Sequence, residues 1–492
     1  MDRRRCSILQ MMTSQELVKK SGPFSVATLV ALVGLFACGL TASVAEASIS
    51  SNGGGRSFVV KTPHVEGPAK YDKAFVTAYG KASAKNVLIL MPGTFGGAGD
   101  FTPSAKALVK KDKNLQVWAL DRREQALEDT SMFEKGMKGE ATLDEVYDYY
   151  LGFLIDPTVT DHVEFLDTKA MPYAQNWGMK TVLNDTRAVV QRARKSGKRV
   201  ALGGHSVGAS LAISYAAWDF RGRAGYKDLD GLVLIDGGLL GSFDPYNKPQ
   251  AEAAMKAMDE NGPFSDLLGL NIPETAGLFA GVGGQFAKRA PTDPATTLQN
   301  YPFLPAELKP PYPATNQALF GYDFDRDTSP ANLSSLHVNA GRLAPENPSG
   351  TADWVDGGIT SIKTLRDTFS QQPVNAVDWF FPTRITIDAN GADQMKQNAV
   401  AKYLGLRLTH TGQVNLPFYV VQTDDTDGDV LKGARNWLKR TKTPKSQTKL
   451  VNADPQMSHL DPLLATPSKN VYIKTVTPFL KKAFATRGNR KK

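Results

Sequence analysis

The sequence predicts an α/β protein in which a doubly wound, mostly parallel sheet is interrupted by a large insertion of helical and irregular chain. The first observation is a set of continuous apolar runs, such as Asn86–Met91 and Gly231–Ile235, which are typical of parallel strands buried on both faces. The second is that these runs alternate with helical segments as far as residue 240. The third is that the alternation stops between residues 241 and 415 and resumes at Leu416.

Each element of this alternation is justified by its local composition. Short apolar runs, most of them rich in β-branched or aromatic residues, predict strands at Ser57–Val60, Ala74–Val76, Asn86–Met91, Leu115–Leu120, Val200–Leu202, Gly231–Ile235, Leu416–Val421 and Thr448–Val451. Longer segments of helix-forming residues predict helices at Phe101–Lys111, Thr181–Ser196, Ala209–Trp218, Ala251–Met258, Ile362–Phe369, Val430–Thr441 and Val471–Thr486. We therefore predict a core made of residues 48–240 and 416–492, with a cap or lid insertion at 241–415.

The N-terminal segment has the pattern of a secretory signal peptide. A basic stretch that includes Arg3 to Arg5 precedes the apolar run Val26–Leu40, and an A-x-A cleavage signal ends at Ala47. We therefore expect residues 1–47 to be removed and the protein to be secreted, periplasmic or held in the cell envelope. A lipid anchor at Cys38 is the alternative, and since Cys6 also lies in this segment, the mature chain would contain no disulfide.

The charge of the chain excludes few partners by itself. The formal net charge of the 492 residues is +9, and part of it comes from a basic C-terminal tail. A solvated terminus is the simpler interpretation of this tail, and weak association with an anionic envelope surface is the other. No basic patch is interleaved with aromatic residues, so we expect no nucleic-acid partner.

A G-x-S-x-G sequence runs from Gly204 to Gly208, between a predicted strand and a predicted helix, with Ser206 at its centre. A serine at such a sharp turn exposes its hydroxyl, and the N–H of Val207 lies at a helix N-terminus, where it can stabilise an anion. This stretch resembles the nucleophile elbow of the α/β-hydrolase superfamily. The resemblance covers roughly residues 57–240 and 416–486, and it implies a secreted, lipase-like serine esterase with a large cap.

The resemblance also implies where a base and an acid should lie. His459, in the loop between the last strand and the closing helix, is the expected base. For the acid, the loop from Asp424 to Asp429 offers Asp427, which we prefer narrowly, and Asp425. Asp236, directly after its strand, is the third candidate, because some lipases of this superfamily carry the acid there. The same loop lacks the glycine and glutamate of a calcium-binding EF-hand loop, so we predict no metal site.

Two further segments match the superfamily. The glycine-containing loop from Pro92 to Gly97 follows a strand, and the N–H of Thr94 is the expected second donor of an oxyanion hole beside that of Val207. Asp121, Arg122 and Arg123 resemble a segment that usually holds loops together by hydrogen bonds, and we expect a structural role for them.

These residues together predict an exported enzyme that hydrolyses a small or lipid-like carboxylic ester through a Ser-His-Asp triad and an acyl-enzyme, without a cofactor. A serine peptidase, an acyltransferase and a non-catalytic binding protein with the same fold remain open. Apolar residues of the cap either wall an acyl pocket or form the cap's own core; they are Phe264, Leu267, Leu268, Phe279, Phe303, Phe320, Trp354, Trp379, Phe380 and Phe381.

Overall fold

The computed structural model describes residues 55–346 and 350–488, which contain ten strands and fifteen α-helices. The strands are β1 (Arg56–Lys61), β2 (Lys73–Tyr79), β3 (Asn86–Met91), β4 (Leu115–Asp121), β5 (Arg199–His205), β6 (Gly231–Ile235), β7 (Gly341–Leu343), β8 (Trp354–Asp356), β9 (Phe418–Gln422) and β10 (Thr448–Asn452). The helices are α1 (Thr102–Lys111), α2 (Ser131–Lys138), α3 (Leu143–Tyr150), α4 (Met179–Lys195), α5 (Val207–Ala217), α6 (Lys248–Asn261), α7 (Thr275–Arg289), α8 (Thr296–Gln299), α9 (Asn316–Phe324), α10 (Ile362–Phe369), α11 (Thr383–Ala392), α12 (Ala399–Tyr403), α13 (Asp429–Arg440), α14 (Asp461–Leu464) and α15 (Val471–Gly488).

The main sheet has eight strands in the order β1-β2-β4-β3-β5-β6-β9-β10, and these are the eight strands that the sequence predicts. Strand β2 is antiparallel to both β1 and β4, whereas all neighbouring strands from β4 to β10 are parallel. The order reverses at β3, so the sheet is doubly wound, and its carboxyl ends meet along one edge. This is the topology of the α/β-hydrolase fold, and the predicted fold class is confirmed.

Helices cover both faces of the sheet, as the continuous apolar strands require. One buried cluster joins the sheet to α4, α5 and α13, and a second joins it to α1, α14 and α15. Helix α5, which follows the nucleophile turn, is buried at every residue because it lies between the sheet and the insertion. The turn before α5 is therefore enclosed between strands of the sheet and helix α11 of the insertion.

The chain between β6 and β9 has two parts with different surroundings. Helix α7 packs against α2 and α3, which belong to the excursion after β4, and these elements share a third buried cluster. In that cluster Tyr150 stacks on Phe133 with ring centroids 3.8 Å apart, so the aromatic stretch around Tyr150 serves as core. Helix α11, in contrast, packs on α4, α5 and α6 and belongs to the layer that covers the sheet.

The predicted signal peptide at residues 1–47, including Cys6 and Cys38, lies outside the residues that the structure describes, as do the last four residues of the basic tail. Among the described residues, none of the helices combines the length and the apolar character needed to cross a bilayer.

Candidate active site

Ser206 lies in a strained turn between β5 and α5. Its φ of 53° and ψ of −125° place a residue with a side chain in a region that such residues rarely adopt. The turn closes tightly: a Cβ on Gly204 would lie 2.2 Å from the Gly208 carbonyl group, and one on Gly208 would lie 2.2 Å from the Met91 oxygen. Glycine is therefore required at both positions, because α5 begins directly against the end of β3 and the end of β5.

His459 and Asp236 form a buried pair at the same edge of the sheet. Nδ1 of His459 lies 2.6 Å from Oδ2 of Asp236, and the two side chains are 3% and 0% exposed. Asp236 directly follows β6 and also accepts hydrogen bonds from the backbone N–H and the hydroxyl of Thr423, at 2.7 and 2.5 Å. The hydroxyl of Thr426 also donates to this carboxylate at 3.4 Å, so four donors fix it relative to the imidazole.

The preference for Asp427 as the acid is not met by this geometry. Asp427 is exposed in a left-handed turn with φ of 47°, and no side-chain hydrogen bond links it to another described residue. Asp425 contacts the backbone of His459 and not its imidazole ring: Oδ2 of Asp425 accepts the backbone N–H of His459 at 2.6 Å. The chain turns at Asp424, whose N–H donates to the Met457 carbonyl, and this turn directs Asp425 to the backbone instead of the ring. Of the three aspartates, Asp236 is therefore the one whose carboxylate contacts the His459 ring, and the geometry does not support the preference for Asp427.

His205 has a role that the sequence did not suggest. Its Nε2 lies 2.9 Å from the carbonyl oxygen of His459, and the two rings are 4.4 Å apart between centroids. Since His205 directly precedes Ser206, this contact fixes the loop of His459 beside the nucleophile turn. No hydrogen bond joins the Ser206 hydroxyl to His459 among the described residues, and Nε2 of His459 has no partner there. Proton transfer between them would require this hydrogen bond to form when a substrate binds.

The pKa values of these groups follow from burial and pairing. Burial alone would raise the pKa of Asp236, but the hydrogen bonds from His459 and Thr423 outweigh it and hold the pKa below its ordinary value. Burial disfavours the charged form of His459, yet the hydrogen bond to Asp236 and its charge raise the pKa above 6.5. Burial and the neighbouring His459 lower the pKa of His205 to about 3, so His205 stays neutral.

The loop from Pro92 to Gly97 lies directly against the nucleophile turn. A Cβ on Gly93 would lie 3.1 Å from Cβ of Ser206, so only glycine permits this approach without displacement. Phe95 has a φ of 53°, its carbonyl accepts the N–H of Asp378 at 2.8 Å, and its ring packs 5.4 Å from that of Phe381. In the described part of the chain, the N–H groups of Thr94, Phe95 and Val207 donate to no other atom, so they remain the candidate donors of an oxyanion hole.

The guanidinium group of Arg122 holds the loop from Pro92 to Gly97 in place through hydrogen bonds to its carbonyl groups. One of its terminal nitrogens lies 3.4 Å from the carbonyl oxygens of both Pro92 and Gly93, and the other lies 3.3 Å from that of Gly96. The guanidinium is held in turn by Asp378 and by Glu124, each at 2.6 Å. The structural role that the sequence analysis gave to this segment agrees with these contacts.

Several carboxyl groups surround Arg122 with little exposure to water. Burial raises the pKa of Asp121 to about 7 and that of Glu124 to about 8, and it raises the pKa of Glu128 well above its ordinary value. Glu128 also bonds the insertion, through the N–H of Trp379 at 3.0 Å. The insertion and the loop from Pro92 to Gly97 therefore share one buried polar network, which the sequence analysis missed because its members are far apart in the chain.

An apolar pocket lies inside the cap. It encloses about 820 Å³ of space, part of it open to solvent. We call it the cap pocket; its walls include Leu267, Phe279, Leu298, Leu304, Leu319 and Phe320. Of the cap residues that the sequence analysis named, Leu268 also lines it, whereas Phe264, Trp379 and Phe380 belong to the buried core of the cap and Phe303 is exposed. Some of these residues therefore wall a pocket and others form the buried core of the insertion, and the binding of an acyl group there stays a prediction.

The described residues contain no group of three or more His, Cys, Asp or Glu side chains arranged to hold a metal ion. In the acidic loop, Asp429 is the first residue of α13, and its carboxylate pairs with the ammonium group of Lys432 at 3.0 Å.

Solved structures similar to this chain share little sequence identity with it. No protein-family model and no curated protein matches the sequence. Among solved structures, a Sulfolobus solfataricus protein assigned as a lipase is 14% identical with a TM-score of 0.48, covering 89% of this chain and 97% of its own. Monoglyceride lipase from Saccharomyces cerevisiae is 11% identical with a TM-score of 0.38, covering 86% and 94%. Epoxide hydrolase A from Mycobacterium thermoresistibile is 13% identical with a TM-score of 0.40, covering 87% and 98%. The assignment of the fold therefore rests on the strand order of this chain itself.

Proposed function

We propose that this chain is a serine hydrolase that cleaves carboxylic esters through an acyl-enzyme, with Ser206 as nucleophile, His459 as base and Asp236 as acid. The observation that supports it most is the buried pair of His459 and Asp236, 2.6 Å apart, beside a serine held in a strained turn. A serine hydroxyl is a weak nucleophile unless a base is adjacent and a third group orients that base.

In the proposed reaction, the Ser206 oxygen attacks the carbonyl carbon of the ester while Nε2 of His459 takes the hydroxyl proton. The carbonyl oxygen becomes negative, and the N–H groups of Val207 and of Thr94 or Phe95 stabilise it. The C–O bond to the alcohol then breaks as His459 returns the proton to the leaving alcohol. Water, activated by the same imidazole, hydrolyses the acyl-enzyme and releases the acid.

Asp236 fixes which nitrogen of His459 carries the proton. Because the carboxylate accepts a hydrogen bond from Nδ1, the neutral imidazole keeps its proton there and leaves Nε2 free to accept the serine proton. The imidazolium that forms is stabilised by the buried negative charge. Asp425 supports the loop by binding the backbone N–H of His459, so we assign it a positioning role.

The first test is turnover of p-nitrophenyl esters from short to long acyl chains. We expect the wild type to hydrolyse them with a chain-length optimum, and Ser206→Ala and His459→Gln to lose at least about 10³-fold in kcat. Ser214→Ala is the matched control: Ser214 lies two turns along the same helix, is equally buried, and its hydroxyl has no partner among the described residues. Turnover that survives in Ser206→Ala would contradict the proposal. Acyl transfer or amide cleavage in place of ester hydrolysis would reassign the enzyme to the acyltransferases or peptidases.

We also propose that the protein is exported with cleavage after Ala47, on the strength of the sequence pattern alone. Expression of the full chain followed by intact-mass analysis of the processed protein tests this. A mass that begins at Ser48 supports secretion, and a lipid-modified chain that begins at Cys38 supports the anchored alternative. An unprocessed chain contradicts both.

A further inference from the structure

The wall of the cap pocket is mostly apolar, and two polar side chains lie in it besides Tyr301. Asn316 and Asp323 both lie on α9, seven residues apart and on the side of the helix that also presents Leu319 and Phe320 to the pocket. Seven residues of an α-helix rise by roughly 10 Å, so the two groups lie along the length of the pocket and not at a single point.

Neither polar group is fully satisfied. Asn316 is only 4% exposed, and its Nδ2 donates to the carbonyl of Ala290 at 2.8 Å, but its Oδ1 has no partner among the described residues. Oδ1 of Asp323 is likewise shielded from solvent and without a partner in that part of the chain. An unpaired buried polar atom costs free energy, and a ligand bound in the pocket would supply the missing hydrogen bonds.

The pocket favours an uncharged ligand. Its lining contains no lysine, arginine or histidine, so no cation is present to neutralise an anion. Burial raises the pKa of Asp323 well above its ordinary value, which favours the neutral carboxyl group, and a neutral carboxyl group can donate as well as accept a hydrogen bond. Asn316 Oδ1 is an acceptor. Both groups are therefore suited to a hydroxyl group.

None of the residues that line the pocket belongs to the candidate active site, but the pocket wall is linked to that site through packed side chains. Leu267 packs against the buried cluster that contains Phe95 and Val207, and Ala276 belongs to it. On the other side, Leu336 precedes His337, whose carbonyl accepts the N–H of Leu460 at 3.0 Å, next to His459. The pocket wall is thus connected by packing to the segments that hold the loop from Pro92 to Gly97 and the expected base.

We propose that the cap pocket binds the acyl chain of an uncharged ester that carries a hydroxyl group along the chain, recognised by Asn316 and Asp323. This inference rests on the proposed function for its catalytic readout. It goes beyond that function by naming the substrate class, a hydroxylated medium- or long-chain ester, and the two residues that select it.

The test compares methyl dodecanoate with methyl hydroxydodecanoates that carry the hydroxyl at carbon 6, 10 or 12. We expect the wild type to favour at least one hydroxylated ester by about tenfold in kcat/KM, the effect of one well-placed hydrogen bond in a buried site. The double variant Asn316→Leu/Asp323→Leu should lose this preference, so that the ratio of its kcat/KM values for the hydroxylated and plain esters falls to about one. No preference in the wild type, or a preference unchanged in the double variant, would overturn the proposal.

Two further variants separate recognition from general damage to the cap. Asp323→Asn keeps a neutral hydrogen-bonding side chain and should retain most of the preference, whereas Asp323→Leu should lose the part that depends on this residue. The exposed Asp327, four residues further along, is the matched control, and Asp327→Asn should behave as the wild type. Loss of the preference in Asp327→Asn as well would assign the effect to instability of the cap.

A binding experiment distinguishes failure of this proposal from failure of the proposed function. Calorimetric titration of Ser206→Ala with 1,12-dodecanediol and with dodecanoate requires no catalysis. We expect the diol to bind at least about tenfold more tightly than the anion, and the Asn316→Leu/Asp323→Leu substitutions to remove the difference. Diol binding without esterase activity in the wild type would retain the pocket and reject the esterase. Equal binding of the diol and the anion would reject the pocket.

Discussion

Replacing Asp236 by Asn tests the choice of acid, because it changes one buried atom and leaves the volume of the side chain unchanged. The asparagine can present only one oxygen. If that oxygen faces Nδ1 of His459, the amide NH₂ faces a donor of Thr423, and two donors oppose each other in a buried site. If the NH₂ faces Nδ1, the imidazole must carry its proton on Nε2, where it cannot accept the proton of Ser206.

The size of the effect follows from the lost charge. Two unit charges about 4 Å apart interact by about 4 kcal/mol at an effective dielectric constant of about 20, and the imidazolium formed in the transition state would lose this stabilisation. That amounts to about 10³-fold in rate, and the unfavourable tautomer brings the expected loss in kcat to between about 10³- and 10⁴-fold. KM should change by less than about threefold, since Asp236 is fully buried and does not contact substrate.

The assay is steady-state hydrolysis of a p-nitrophenyl ester by Asp236→Asn, Asp425→Asn and Asp427→Asn, with thermal melts to verify folding. Asp427→Asn should stay within about twofold of the wild type because the side chain is exposed and contacts no part of the site. Asp425→Asn should lose about tenfold or less, because an amide oxygen still accepts the N–H of His459. A large loss in Asp427→Asn with activity retained in Asp236→Asn would refute the reasoning.

Three further predictions concern pH, the oxyanion loop and the nucleophile turn. Because the pKa of His459 is raised above 6.5, the neutral base is lost at a higher pH than for an ordinary histidine, and kcat/KM should fall as pH decreases through a value above 6.5. Asp425→Asn removes a negative charge near His459 and should move this acidic fall in the pH–rate profile to lower pH. A shift of the fall to higher pH in Asp425→Asn would contradict this assignment. Arg122→Lys should lower kcat by about tenfold to 100-fold with a smaller change in KM, because a single ammonium group cannot reach the carbonyls of Pro92, Gly93 and Gly96 together. Kinetics equal to those of the wild type would show that the loop from Pro92 to Gly97 does not need the guanidinium group of Arg122. Gly208→Ala should lower the free energy of unfolding by more than about 3 kcal/mol, or abolish soluble expression, because its Cβ would lie 2.2 Å from the Met91 oxygen. Gly197→Ala is the control: its Cβ would enter open space, and its positive φ should cost only about 1 kcal/mol. Similar urea midpoints for the two variants would contradict this prediction.

The sheet and the nucleophile turn were predictable because their signals are local. Each strand of the parallel sheet is a continuous apolar run, and all eight predicted strands are present, with Asn86–Met91 and Gly231–Ile235 at the predicted bounds. Glycines on both sides of Ser206 between a strand and a helix are sufficient to indicate the strained turn. His459 was identified by its place between the last strand and the closing helix.

The acid and the loop network were not predictable in the same way. Asp236 and the acidic residues from Asp424 to Asp429 follow adjacent strands, β6 and β9, so chain order places both groups at the same edge of the sheet. What decides between them is a turn at Asp424 and a left-handed residue at Asp427, neither of which has a clear sequence signature. Arg122 and Asp378 are 256 residues apart, and nothing in the irregular insertion marks Asp378 as a partner of that arginine.

The measurement that tests the central proposal most directly is covalent labelling of the mature protein with a fluorophosphonate, followed by mapping of the adduct by mass spectrometry. The reagent reacts with a serine that an adjacent base activates. We expect one adduct, on the peptide that contains Ser206, which is absent from Ser206→Ala and greatly slowed in Asp236→Asn and His459→Gln. Ser214→Ala should label as the wild type does. An unlabelled wild type, or an adduct that persists in Ser206→Ala, would contradict the proposal that Ser206 is the nucleophile of a serine hydrolase.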